Sequence, residues 1–224
     1  MKITEPPWHL TGTALVVGFP ARPNRKQRDV SASASGSTQS PGRAIGGAGA
    51  VVLADYRTSD VGPYRELLIA PGRFRSGTDT GHTITRIFVD SEASAVSGRA
   101  NWGIPKETAL LSAGFAADGS WRFSAASADG NEGGSGDAFF SLTARPFGPS
   151  FPVPFGRLPF RLLQEEGGLR FLTRLGGSAR GRFARIERVW SDPSVFPFPD
   201  RKPRIVLLLE TFALVFPPAE LLDP

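Results

Sequence analysis

Glycine and proline interrupt this chain so often that the apolar runs between them are short: 26 glycines and 20 prolines are spread over 224 residues. Neither residue suits the interior of a helix. The runs left between them are rich in β-branched and aromatic side chains, which fit a pleated, half-buried surface. Residues 13–19 form such a run and stop at Pro20. Residues 50–53, 65–70 (ahead of Pro71 and Gly72) and 83–90 read the same way. Residues 121–124 and 137–143 flank a glycine-rich connection at 129–136, the pattern of a hairpin with a loose loop. Residues 169–175 are again strand-like, whereas the apolar positions of 182–190 fit neither period well. Residues 204–216 make a long apolar run between Pro203 and Pro217, compatible with a strand, although periodicity alone does not exclude a helix. Many short strands predict a mainly β fold, a sandwich or a barrel. Helix is expected only for a turn or two after Pro105 and at the extreme C-terminus.

The length suits one domain over residues 1–224, with no internal repeat and a polar loop excursion at about 20–47. That excursion is rich in Ser, Gly, Pro and Arg, and its 31–37 portion has the composition of a disordered segment.

Several classes of chemistry are excluded. There is no cysteine, so disulfides, thiol nucleophiles and thiolate metal sites are out of reach. The two histidines, His9 and His82, stand far apart, which argues against a multi-histidine metal site. The first residues lack the apolar core of a signal peptide, and the run at 205–216 carries Glu210 and is too short to span a bilayer. A soluble, cytoplasmic protein with no membrane partner is expected.

The formal charge of +5 is a small excess over interspersed acids. An arginine-rich stretch at 178–188 (Arg180, Arg182, Arg185, Arg188, with Phe183) has the composition of a phosphate-and-base-binding surface. A solvated face paired with acids such as Glu187 accounts for it more simply, so no nucleic-acid partner is expected.

Lysine is scarce: Lys2, Lys26, Lys106 and Lys202 are the only four. Of these, only Lys106 lies in a segment that reads as ordered and partly apolar, Asn101-Trp102-Gly103-Ile104-Pro105-Lys106-Glu107. With proline favoured at the first helical position, Lys106 would start a helix. The positive helix end and partial burial would then both disfavour its ammonium form. A neutral amine is what attack on a carbonyl requires. The bland alternative is a solvated lysine at an ordinary helix start.

A second segment, Thr58-Ser59-Asp60-Val61-Gly62-Pro63-Tyr64-Arg65-Glu66, puts a turn ahead of an apolar strand and Glu66 at the start of that strand. A carboxylate there can act as acid or base, or orient an amine. The alternative is ordinary charge pairing at a strand end.

Together the two segments resemble the acetoacetate decarboxylase superfamily. The resemblance rests on Thr58, Ser59, Gly62, Tyr64 and Glu66, then on Gly98-Arg99, five residues, and Pro105-Lys106. The run at 205–217 and the strand at 13–19 match more loosely. The resemblance implies a closed, cone-like antiparallel β-barrel with one or two short helices, the lysine inside it, and a homo-oligomer. It also implies that Lys106 is the Schiff-base residue, with Glu66 beside it as the second catalytic group. Tyr64, Arg65, Trp102 and Ile104 are the candidate substrate-binding residues. Three departures stand out. Glu107 occupies the position of the family's second lysine, and a neighbouring cation is one device for activating an amine. Gly12 stands where the decarboxylases carry an arginine facing the substrate carboxylate. The loop at 20–47 replaces an early helical segment.

The implied function is a lyase that forms a Schiff base with a β-keto acid and decarboxylates it, with no metal or organic cofactor. An aldolase or dehydratase working on keto acids through the same lysine is the alternative chemistry. A barrel that binds a small ligand without catalysis is the alternative class.

Overall fold

In a computed structural model of the protein, residues 2–21, 42–128, 136–153 and 160–222 are described. In chain order the elements are β1 (Trp8–Ala21), β2 (Arg43–Thr58), β3 (Tyr64–Ala70), β4 (Arg73–Ser76), β5 (Asp79–His82), β6 (Arg86–Val89), α1 (Glu92–Trp102), β7 (Lys106–Phe115), β8 (Trp121–Ser127), β9 (Ala138–Val153), β10 (Arg161–Glu166), β11 (Leu169–Arg174), β12 (Gly176–Ser191), β13 (Ile205–Phe216) and β14 (Glu220–Leu222).

Nine strands pair in the order β1-β13-β12-β9-β8-β7-β6-β3-β2, and a direct β1–β2 pairing closes them into a barrel. The expected mainly β barrel is therefore present, antiparallel throughout except where β6 runs parallel to β7. That one parallel pair needs a crossover, and α1 supplies it. The long strand β2 also leaves the barrel, pairing with β4 to start a second layer, β4-β5-β10-β11-β14.

Alternation along the strands divides the apolar residues between two cores. One is fed by all nine barrel strands and fills the barrel: Leu15, Leu53, Leu67, Phe88, Leu111, Phe123, Phe140, Ala184 and Leu208 are among its members. The other gathers the opposite face of β1, β2, β3, β6 and β13 against α1 and the second layer, with Ala54, Tyr56, Tyr64, Val89, Trp102, Leu162 and Phe212. The first core thus occupies the barrel interior, and the second lies between the barrel wall and its cover.

Two helix expectations fail. Residues from Lys106 onwards form β7, in parallel register with Ile87–Val89 of β6, and the C-terminal segment forms β14. The only helix among the described residues is α1, built from small polar residues with Gly98 in its middle. Its signals are local. The side chain of Ser91 caps it by accepting from the Ser94 N–H, and Gly103 ends it in the left-handed region at φ 60°. The ambiguous stretch 182–190 lies in β12, where register shifts against β9 between Gly181 and Phe183 and between Ile186 and Arg188 break the two-residue period. The loop excursion is narrower than expected: β1 continues to Ala21 and β2 begins at Arg43. The disorder expected at 31–37 and the loose loop at 129–135 fall outside the described residues. The strands flanking that loop, β8 and β9, do pair as a hairpin.

Candidate active site

The Thr58–Glu66 segment is the hairpin between β2 and β3. Ser59 accepts from the Val61 N–H through its hydroxyl (3.2 Å), and its carbonyl accepts from the Gly62 N–H (3.1 Å). Gly62 takes φ 86°, which only glycine adopts cheaply. This turn fixes the register in which Tyr56 faces Tyr64 and Ala54 faces Glu66. Tyr64 and Glu66, two residues apart, therefore point to the same side of the wall, into the second core.

Lys106 reaches that core from β7. The alternate residues Ala109 and Leu111 point into the barrel, so Lys106 stands on the barrel's outer face, beneath α1. This corrects both the helix-start position and the placement of the lysine inside the barrel. The Gly98-Arg99 pair explains how the side chain is seated. Its stem lies across Gly98, where a Cβ would come within 2.8 Å of Lys106 Cδ and 2.9 Å of Cε. Arg99 holds the strand end by donating from Nη1 to the Lys106 carbonyl.

The amine is almost sealed from water, the residue being 4% exposed. Nζ donates to Ser94 Oγ (2.9 Å), is paired with Glu66 Oε2 (3.0 Å), and lies 3.4 Å from the Tyr64 hydroxyl. It also stands 5.0 Å from the Tyr64 ring centre and 5.9 Å from that of Trp8. Glu66, buried to a similar degree, accepts from the Tyr56 hydroxyl at Oε1 (3.0 Å). Burial, and next the negative charge of Glu66, push the Tyr56 and Tyr64 hydroxyls well above the ordinary phenol range. Both hydroxyls therefore stay protonated: Tyr56 donates to Glu66, and Tyr64 accepts from the Lys106 amine.

Next to this cluster is a cavity of about 160 Å³. Among the described residues its wall is apolar apart from Tyr56 and Glu66. Glu66 joins the two features, lining the cavity and contacting the amine.

The other candidate residues lie elsewhere. Arg65 faces the opposite side of β3 from Glu66, held by Asp55 (3.3 Å) and Asp90 (3.1 Å), so it does not meet the cavity. Trp102 and Ile104 are buried but neither lines the cavity. Trp102 donates to the Pro217 carbonyl (2.8 Å) and packs edge-on against Trp8. Glu107 points away from the amine and pairs with Arg86 (2.8 Å). At Gly12 a Cβ would meet the Asp55 carbonyl oxygen at 2.1 Å, so the position admits no side chain. Of the arginine stretch, Arg182 is paired with Glu210 (2.7 Å), and Phe183 packs with Phe147 and Phe151. No group of three potential metal ligands occurs among the described residues. No helix among them is long and apolar enough to cross a membrane.

Sequence reasoning missed Tyr56 and Ser94. The hairpin register would have found Tyr56, which sits directly opposite Tyr64. Ser94 gave no signal, because its helix was not foreseen.

Compared by sequence, the chain matches no family model and no curated protein. Compared by structure, it superimposes over nearly its whole length on several enzymes. Acetoacetate decarboxylase from Legionella pneumophila subsp. pneumophila str. Philadelphia 1 aligns with TM-score 0.64 at 13% identity, covering 98% of this chain and 88% of that one. The enduracididine biosynthesis enzyme MppR, in complex with pyruvate, aligns with TM-score 0.64 at 15% identity, covering 99% and 92%. An acetoacetate decarboxylase-like enzyme from Sphingomonas wittichii RW1 aligns with TM-score 0.64 at 14% identity, covering 99% and 94%. The chain has the acetoacetate decarboxylase-like fold, as the two motifs led one to expect.

Proposed function

We propose that this protein is a Schiff-base lyase acting on a β-keto acid, with Lys106 as the nucleophile and Glu66 as its proton partner. One observation carries the reading: a lysine 4% exposed, 3.0 Å from a buried glutamate that lines an apolar cavity. Buried ion pairs are poor stabilisers, because desolvation offsets most of their attraction. Placing one of four lysines in such a pair makes chemical sense if the amine reacts.

Glu66 accepts a proton from the Lys106 ammonium, and the free amine attacks the substrate ketone. Glu66 returns that proton to the departing hydroxyl, and loss of water leaves a protonated imine on Nζ. The bond to the carboxylate breaks, carbon dioxide leaves, and the electron pair moves onto the imine nitrogen to give an enamine. Protonation at carbon and hydrolysis by one water release the ketone and free the lysine. Tyr56 holds Glu66 in place, and Ser94 and Tyr64 aim the amine. The apolar surroundings favour a step that destroys charge, since the carboxylate becomes neutral carbon dioxide as the iminium becomes neutral enamine.

Aldol or dehydration chemistry through the same iminium is the second reading. It is favoured by Gly12, which leaves no side chain where a carboxylate-binding arginine would stand. Incubation with acetoacetate, and separately with pyruvate, followed by borohydride reduction and peptide mapping tests both. An adduct at Lys106 that depends on the acid is expected, with carbon dioxide released from acetoacetate. An adduct without carbon dioxide moves the reaction to the second reading. Turnover that survives Lys106→Ala or Lys106→Arg overturns both, and saturable binding with neither adduct nor product makes the protein a binder.

A further inference from the structure

We propose that the substrate carries an unbranched apolar tail of about four to six carbons on the far side of its ketone, and that the cavity beside Glu66 is the tail's binding site. This deepens the Schiff-base reading and rests on it for the position of the ketone.

The cavity follows the barrel wall. Three registered pairs line it in turn: Ala54 with Glu66, Val52 with Leu68, and Ala50 with Ala70. From Glu66 to Ala70 this path is roughly 13 Å long, at the rise of an antiparallel strand. Among the described residues Glu66 and Tyr56 are its only polar lining side chains, and both lie at one end. A ligand with one polar head and one apolar tail therefore has a single favourable orientation, ketone towards Glu66 and Lys106. The alanines make the space. Ala14 faces Ala54 across β1 and β2, and a larger residue at either position would close the gap against the cover.

The size sets the tail length. About 160 Å³ is close to the volume that accepts one benzene-sized ligand in an apolar protein cavity, about six carbons. The chemistry excludes a second charged group on the tail. Among the described residues no basic side chain lines the cavity, and the wall they form offers such a group no partner.

Two measurements on the full chain test this. The first is kcat/KM for straight-chain β-keto acids from acetoacetate to 3-oxodecanoate, with borohydride trapping at Lys106 for each. It should rise about fourfold per added methylene until the cavity is full, then fall. The second, independent of turnover, is the rise in Tm produced by methyl ketones from acetone to 2-nonanone, which should follow the same order. Ala70→Leu, or Val52→Phe should the first variant not fold, should remove the gain with tail length. Rates that are flat or falling from acetoacetate onwards, with Lys106 still trapped, overturn the tail and leave the Schiff base standing. Ketone affinity that climbs with length while Lys106 is never trapped leaves the tail site standing and overturns the Schiff base. A molecule showing neither overturns both.

Discussion

Gly98 is the surface on which Lys106 lies: a Cβ there would stand 2.8 Å from the lysine Cδ and 2.9 Å from its Cε. Those distances are too short for carbon atoms, so an added methyl must push the lysine stem aside. Gly98 is helical, and alanine is ordinarily the better helix former by about 1 kcal/mol. Gly98→Ala is thus expected to keep the fold, with Tm changed by only a few degrees. The amine, however, would shift relative to Glu66 and Ser94. Displacements of that size cost on the order of a hundredfold in rate. Measuring imine formation and Tm on the same variant separates the two effects, and an unchanged rate would contradict the seating described here.

Lys106 and Glu66 should behave as one unit in unfolding experiments. Removing one partner leaves a buried charge without its counter-ion, a loss of about 3–5 kcal/mol. Lys106→Met and Glu66→Gln are each expected to destabilise on that scale. The double variant should be more stable than the sum of the singles implies, because neither charge is then left alone. Denaturant unfolding of the four proteins gives the coupling directly. Simple additivity would mean that the pair seen at 3.0 Å does not matter to folding.

Much of this was legible in the chain. The glycine and proline punctuation gave the β architecture, and the turn at Gly62-Pro63 put Glu66 at the start of a buried strand. What the sequence hid depends on partners distant along the chain. The segment after Pro105 carries a helix-start signature, yet pairing of residues 106–108 with β6 overrides that local preference. Helix α1 was missed because Ser91, Ser94, Ser97 and Gly98 look like a loop, and its role as a crossover appears only once β6 and β7 are seen to be parallel. Arg65 was a candidate because it neighbours Glu66, but alternation turns it towards Asp55 and Asp90. Tyr56 became visible only through cross-strand register.

Glu107→Lys tests whether an adjacent cation can activate the amine in this fold. Successive strand residues face opposite sides, so the new lysine would leave Lys106 unaffected and sit beside Arg86. The expected result is a rate of imine formation within about twofold of the original. A stability loss of up to about 1 kcal/mol is also expected, from losing a partly exposed pair and creating a like-charge contact. A large rate increase would show that the two side chains do communicate through space.

His82 gives the fold a pH dependence of definite sign. Burial, and then the nearby Arg73, push its imidazole below the ordinary histidine value. Its ring stacks on Phe160 at 4.4 Å, and Nδ1 has no hydrogen-bond partner among the described residues. The unfolded chain, with a histidine near 6.5, therefore binds a proton more readily than the folded one. Stability must rise with pH wherever the unfolded state holds more protons. The contribution from His82 is complete above the unfolded value and is lost as pH falls from about 6.5 towards the lowered folded value. Between pH 7.5 and 5.5 the Tm of the protein should consequently fall further than that of a His82→Gln variant, whose side chain does not titrate. Because Phe160 also lines the cavity, the same acidification should weaken methyl ketone binding in the parent more than in the variant. Equal Tm losses in the two proteins would mean that protonation of His82 is not resisted by its packing.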